Sequence, residues 1–195
     1  EIIFLEIKIS GAKFIQTEIN TSAFMKCSIE NCDFSESSMG KCAFVNTSLK
    51  NCEFNKTDLS SACFVATEPE NSVTKNLNFK KACLKQANFQ NMNIQNTDFS
   101  FANMENAFFG SADLSGANLN YAQAKNAQFR KSNLTKATLK YINLDQGSLA
   151  KANLTEASFK SANLHAVDFL RSNISNTDFS WANLDTTLVE HWRPK

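Results

Sequence analysis

Hydrophobic residues recur at every fifth position along most of the chain. A large apolar residue, here called position i, follows two residues after a small one, and the other three positions are mostly polar. Residues 111–119, SADLSGANL, contain two such units side by side. Position i falls on Phe4 and every fifth residue to Phe64, and again on Phe79 and every fifth residue to Leu184. This period matches neither an amphipathic helix nor an alternating strand.

A five-residue unit predicts a chain that turns once per unit, so that four units close a square coil. The large residue at position i and the small one at i−2 should point inward, and the other three positions outward. Asn, Asp and Ser are frequent at i−1, where their side chains can bond nearby backbone groups and favour turns. Successive coils should stack at the β spacing of about 4.8 Å, with backbone hydrogen bonds along the axis.

Runs such as ADLSGANLN, SNLTKATLK, ANLTEASFK and TDFSWANLD resemble the pentapeptide-repeat family. The resemblance covers nearly the whole chain. It implies an all-β fold, a right-handed quadrilateral parallel β-helix (a solenoid) with four units per coil, which gives about nine coils here. In the N-terminal half Lys, Ser, Cys or Glu often stands at i−1, so we expect different turn types at its corners.

The phase of the Phe residues changes once. Phe alternates with aliphatic residues from Phe4 to Phe64, but the Phe residues from Phe79 onward have the opposite parity. The alternation continues if five residues, or an odd number of fives, are looped out. We therefore predict a short projecting loop within 66–72, with Val73 or Thr74 replacing the missing aliphatic residue; one poorly matched coil without a projection is the alternative. The candidate loop residues are Glu68, Pro69, Glu70 and Asn71.

The repeat predicts one domain with one interruption. Coils are expected at 1–64 and 79–184, the interruption at 65–78, and a cap or tail at 185–195. Leu188, Val189 and Trp192 could cover the last coil or form a contact, including a homodimer through the C-terminal end. Because Phe4 is already in phase and no Met precedes it, we expect the chain to be part of a longer polypeptide or to be the product of processing.

Four units per coil place residues 20 apart directly above one another, so outward positions form columns. Stacked aromatic residues at i+2 could mark an interface or simply stabilise the ladder. Stacked cations at i+2 on the opposite face, with Arg130 beside them, suggest an anion or an acidic partner, although solvated lysines are common on repeat proteins. An apolar column at i+1 leads to the predicted loop. The aromatic column is Phe101, Tyr121, Tyr141 and Trp181; the basic column is Lys131, Lys151 and Arg171; the apolar column is Leu5, Met25, Val45 and Val65.

Charge and cysteine usage narrow the function classes. The chain has 20 Lys and Arg and 19 Asp and Glu, evenly mixed, which argues against direct binding of nucleic acid. No apolar run approaches the roughly 18 residues of a membrane helix, so no membrane insertion is expected.

Four cysteines at i−2 are predicted to be small core residues, and two at i−1 to lie near solvent. Reduced thiols in a reducing, cytoplasmic compartment are the preferred reading over disulfides. The i−2 cysteines are Cys27, Cys32, Cys42 and Cys52; the i−1 cysteines are Cys63 and Cys83.

No catalytic, metal or cofactor constellation is predicted. His165 is isolated, His191 lies in the tail, and neither has Cys or carboxylate partners at metal spacing. No glycine-rich phosphate loop is present. The leading hypothesis is a non-enzymatic scaffold that binds a protein partner of unknown identity. The family resemblance adds an alternative, a DNA mimic that binds DNA gyrase and protects it from quinolone-type inhibitors, which the near-neutral charge argues against. A further alternative is an accessory domain of an enzyme or effector whose catalytic part lies elsewhere.

Overall fold

The computed structural model describes residues 1–67 and 74–188, which form a four-sided parallel β-helix. Backbone pairing joins residues 20 positions apart, as the repeat predicts. We number the four sides in chain order, from the units of Phe4, Ile9, Phe14 and Ile19. One ladder of pairs on side one climbs the described chain in nine steps: Ile3, Ala23, Ala43, Cys63, Asn88, Phe108, Gln128, Ser148, Asp168 and Leu188.

Regular strands form on sides one and two of the N-terminal coils, in two parallel four-stranded sheets. Further along, the coils are joined by isolated bridges. Side one carries β1 (Ile3–Leu5), β3 (Ala23–Met25), β5 (Ala43–Val45) and β7 (Cys63–Val65) in that spatial order. Side two carries β2 (Lys8–Ser10), β4 (Ser28–Glu30), β6 (Ser48–Lys50) and β8 (Thr74–Lys75).

Phenylalanine rings fill the axis of the helix. Those of sides one and three form two stacks, and the stacks meet edge to face across the interior. The ring of Phe89 stacks on Phe64 and Phe109 at 4.4 and 5.1 Å between centroids, and its edge meets Phe79 and Phe99. Position i and position i−2 are buried through the central coils, so both predicted inward positions are confirmed.

The corners use a feature that the repeat pattern does not show. At nearly every unit the residue at i+2 adopts a positive φ near 55–60°, whatever its side chain. At most corners the backbone N–H of i+3 donates to the carbonyl of position i, as from Ala82 to Phe79. The i−1 residues behave as predicted: for example, Oδ1 of Asp58 accepts the backbone N–H of Ser60.

Corners beside the N-terminal strands differ, as expected. There the carbonyl of position i accepts a hydrogen bond from a small side chain one coil further on. The carbonyl of Phe24 accepts from the hydroxyl of Thr47 at 2.8 Å, and that of Phe4 accepts from the thiol of Cys27 at 3.3 Å. The i−2 cysteines therefore fill the core and also supply corner hydrogen bonds.

The pairing offset changes from 20 to 25 residues at the interruption. Cys63 pairs with Asn88, whereas the flanking coils keep the offset of 20. Thr74 pairs with Leu49 and so takes the place of the aliphatic residue. Pairing continues to Val65 and resumes at Thr74, inside the stretch 65–78. The candidate loop residues Glu68, Pro69, Glu70 and Asn71 lie outside the described residues, as do Val73, Val189, His191 and Trp192.

Candidate functional site

The aromatic column forms a stacked ladder at the corner that follows side three. Phe101 and Tyr121 stack at 4.9 Å between ring centroids, and Tyr121 and Tyr141 at 4.8 Å, with planes nearly parallel. All three occupy the left-handed i+2 position and are about half exposed. Backbone hydrogen bonds fix their spacing, since the N–H of Tyr121 donates to the carbonyl of Lys140 in the next coil.

Trp181 stands apart from that ladder. It lies two coil steps from Tyr141, and Ser161 occupies the single level between them. Its side chain is 85% exposed. The structure therefore brings together three of the four predicted aromatic residues.

The apolar column lies on the outer surface of side one and is wider than predicted. Leu5, Met25, Val45 and Val65 are consecutive partners in the pairing of β1, β3, β5 and β7. A second column, at i−1 of the same strands, is also free of charged and amide side chains: Ile3, Ala23, Ala43 and Cys63. Ile3 and Leu5 are 65% and 56% exposed. Sequence reasoning missed this second column, although hydrophobic or small residues in place of Asn or Asp at i−1 were a visible signal.

A hollow interrupts side one above these strands. It has a volume of about 400 Å³, and its walls include Phe108, Gln90, Arg130 and Lys131. Gly110 stands at i+1, where the absence of a side chain leaves the hollow open. A Cβ at Gly110 would meet no heavy atom closer than 3.4 Å, and its φ is not positive. The backbone therefore does not require glycine here.

The basic column borders the same hollow. Lys131, Lys151 and Arg171 occupy i+2 at the corner that follows side one, two sides away from the aromatic ladder. Among the described residues, Arg130 and Lys131 form no ion pair. The predicted apolar and basic columns therefore share one side of the rod, and the hollow lies between them.

Side four carries a ladder of alternating charge. Lys85 pairs with Glu105 at 3.3 Å, and Asp145 lies 3.3 Å from Lys125 and 2.7 Å from Nδ1 of His165. The prediction that His165 is isolated is therefore wrong; the carboxylate one coil away could not be recognised until the coil was closed. The hydrogen bond from His165, together with Lys125, lowers the pKa of Asp145.

All six cysteines are free thiols. The four at i−2 are buried, as predicted, and burial raises the pKa of Cys52 to about 11. Cys63 and Cys83 are only partly exposed, and Cys83 lies 3.1 Å from the hydroxyl of Ser60. The described residues contain no cluster of side chains suited to a metal ion. Nor do they contain a helix that could cross a membrane.

These features define a class of protein: a parallel β-solenoid whose coils are built from four five-residue units. The chain belongs to the pentapeptide-repeat family. The family model, described as pentapeptide repeats, matches eight copies in the chain, at residues 27–64, 75–110, 112–149 and 148–188. A search of curated proteins finds no significant match.

Solved structures of other family members share the fold. HetL, a pentapeptide-repeat protein involved in heterocyst differentiation regulation from the cyanobacterium Nostoc, aligns with a TM-score of 0.67 and 19% identity over 95% of this chain and 86% of HetL. Trypsin-treated QnrB1, a plasmid-mediated fluoroquinolone resistance protein, aligns with a TM-score of 0.60 and 17% identity over 97% of this chain and 92% of QnrB1. At these identities the similarity establishes the fold only.

Proposed function

We propose that the chain is a non-enzymatic scaffold that binds another protein through side one. The observation that supports this most is the outer surface of β1, β3, β5 and β7, where two neighbouring columns lack charged and amide side chains. Exposed apolar patches of this kind mark interaction sites in soluble proteins. Ile3, Leu5 and Met25 are its most exposed large members.

The hollow and the basic corner indicate what the partner carries. An apolar side chain of the partner would enter the hollow over Gly110 and pack on Phe108, which is 40% exposed. Carboxylates next to that side chain would meet Arg130 and Lys131. A partner strip that is apolar at one end and acidic at the other therefore fits side one.

A non-enzymatic role agrees with how the ionisable groups are used. Asp145 is held between Lys125 and His165, and Asp113 accepts hydrogen bonds from Gln95 and Asn133. These carboxylates are engaged in bonds between coils. They stabilise the stacking rather than present an acid and a base to a cleft.

Site-specific photo-crosslinking tests the proposal. A photoreactive amino acid is placed at Leu5 and, separately, at Gly110, with Ser10 as the matched control, because Ser10 is exposed at the same i+1 position on side two. We expect one and the same protein to be captured from Leu5 and Gly110 in native extract, but not from Ser10. Capture of that protein equally from all three positions would contradict the proposal.

The captured protein is then purified and its affinity measured. Met25→Glu places a carboxylate at the centre of the apolar columns, where the bound partner would bury it. The substitution should therefore weaken binding at least about tenfold. Ser10→Glu is the matched control and should leave the affinity unchanged. Equal affinities of the two variants would remove side one from the interface. Sedimentation of the chain alone shows whether side one binds a second copy of the chain instead of another protein.

A further inference from the structure

We propose that the level of Ser161 is a slot for a single aromatic side chain of a protein partner, bounded by Tyr141 on one side and Trp181 on the other. The slot lies at the corner that follows side three, on the far side of the rod from side one. This inference therefore goes beyond the proposed function and identifies a second contact.

The dimensions of the slot come from the coil spacing. The N–H of Tyr141 donates to the carbonyl of Lys160 at 3.0 Å, and the N–H of Ser161 donates to the carbonyl of Ser180 at 2.9 Å. These bonds hold the three corners at successive levels. Tyr141 and Trp181 are thus two coil steps apart, or about 10 Å. An aromatic ring at the middle level would lie near both walls at the 4.8 Å spacing already seen between Tyr121 and Tyr141.

The backbone at this corner accommodates aromatic side chains. Ser161 has a φ of 58°, the same as Tyr141, and Trp181 has 63°, so the three side chains leave the backbone in the same direction. Serine ends at Oγ, so the level of the partly buried Ser161 lacks the ring that Tyr121 and Tyr141 supply at theirs. An aromatic ring from the partner at the level of Ser161 would complete the column, because all the remaining levels from Phe101 to Trp181 already carry a ring.

The ring of Tyr141 is restrained by a neighbouring ring, whereas the ring of Trp181 is not. Tyr141 is stacked on Tyr121 on its far side, which restrains its ring before any partner arrives. Trp181 stacks on no ring among the described residues and is the most exposed large hydrophobic side chain in them. An indole in that position gains contact area when a ring is inserted beside it.

The neighbouring charges select the kind of ring. Lys140 and Lys160 are exposed at i+1 immediately before the two corners that open the slot, and neither forms a salt bridge among the described residues. An aromatic residue flanked by Asp or Glu would place its carboxylates near these two cations. A nucleotide also combines a flat ring with negative charge. We favour a protein because Lys140 and Lys160 lie one coil apart, at the levels of Tyr141 and Ser161, so that each can meet one of two carboxylates flanking a ring, whereas a nucleotide carries its charge on one phosphate group.

A titration with a short peptide tests the slot directly. The probe is the acetylated and amidated tripeptide Asp-Tyr-Asp, and the readouts are the NMR signals of the Trp181 indole N–H and the Ser161 amide. We expect saturable shifts of both, with an affinity in the millimolar range. The tripeptide Asp-Ser-Asp should cause no saturable shift. Absence of saturation by Asp-Tyr-Asp up to about 10 mM would overturn the proposal.

Two substitutions of the same residue separate the slot from the ladder. Ser161→Tyr closes the slot and should weaken peptide binding at least about tenfold, while the chain still folds because the same corner accepts Tyr121 and Tyr141. Ser161→Asn is the matched control, since asparagine occupies many i+2 corners, and should keep the wild-type affinity. If Ser161→Tyr binds the peptide as well as the wild type, the ring does not enter this level.

Adenosine monophosphate provides the second arm. Stronger shifts of the same two signals by the nucleotide than by the peptide would show that the slot takes a nucleobase, and the protein partner would be wrong. Crosslinking from side one is unaffected by Ser161→Tyr if the two surfaces act separately. Failure of the slot and failure of the proposed function are therefore distinguishable.

Discussion

Replacing corner residues by glycine measures how much the aromatic ladder contributes to stability. Ala166 has a φ of 55°, and its methyl group forms no hydrogen bond. The left-handed conformation costs a residue with a Cβ about 1–2 kcal/mol, which glycine avoids. Glycine loses more conformational freedom on folding, which offsets about 0.5–1 kcal/mol of that gain. We therefore expect Ala166→Gly to raise the free energy of unfolding by about 0.5–1 kcal/mol.

Tyr121→Gly removes the same backbone penalty but also two stacked pairs. Each aromatic pair stabilises by about 0.5–1.5 kcal/mol beyond its buried area, so the two contacts of Tyr121 are together worth about 2 kcal/mol. The net expectation is a loss of about 1 kcal/mol, opposite in sign to Ala166→Gly.

Thermal unfolding followed by circular dichroism distinguishes these outcomes. For a chain of this length, 1 kcal/mol corresponds to a shift of about 2–4 °C in Tm. Ala166→Ser keeps a Cβ in the left-handed conformation and serves as the control, with no shift expected. If Tyr121→Gly is stabilised as much as Ala166→Gly, the exposed rings do not stabilise one another and the stacking argument is refuted.

Four further predictions concern the core, the charges and the partner class. Gly147→Ala should destabilise by about 1–3 kcal/mol in urea unfolding, because its Cβ would lie 2.5 Å from Cδ1 of Leu144. Gly110→Ala should be neutral, because its Cβ would make only ordinary van der Waals contacts, the nearest at 3.4 Å. The pKa of Asp145 is lowered in the folded chain, so its contribution is present above its unfolded pKa and is lost as pH falls through the folded value. The difference in Tm between wild type and Asp145→Asn should therefore shrink on acidification below pH about 4. The thiol of Cys52, with a pKa of about 11, should not react with a disulfide reagent at pH about 8 until the chain unfolds. Purified gyrase should keep its supercoiling activity at micromolar concentrations of the chain, because the outward columns of the described residues mix both charge signs; inhibition would favour the DNA-mimic alternative.

The fold could be predicted from the sequence because one period determines it. A residue such as Leu114 every five positions, with Ala112 before it, leaves no other way to bury both, and the structure buries both. The corner conformation could not be predicted in the same way. Lys131 and Tyr121 disfavour a positive φ, yet hydrogen bonds between coils impose it on both.

The candidate surfaces were predicted in part, for a related reason. Columns of single positions, such as that of Val45, follow from counting by 20, and the structure keeps them. Features that need two positions or two coils together were missed. Ile3 beside Leu5, the space above Gly110 and the carboxylate of Asp145 at His165 depend on contacts between neighbouring positions and coils.

The pairing of each coil with the next along the axis also has a mechanical consequence. Bonds such as those from Tyr121 to Lys140 and from Tyr141 to Lys160 point from one coil to the next, so tension applied at the two ends loads successive coils in series. Once one coil detaches from the next, its 20 residues can span at most about 66–72 Å. A rod of this kind should lengthen in equal steps at low force, with one longer step where the pairing offset is 25 residues.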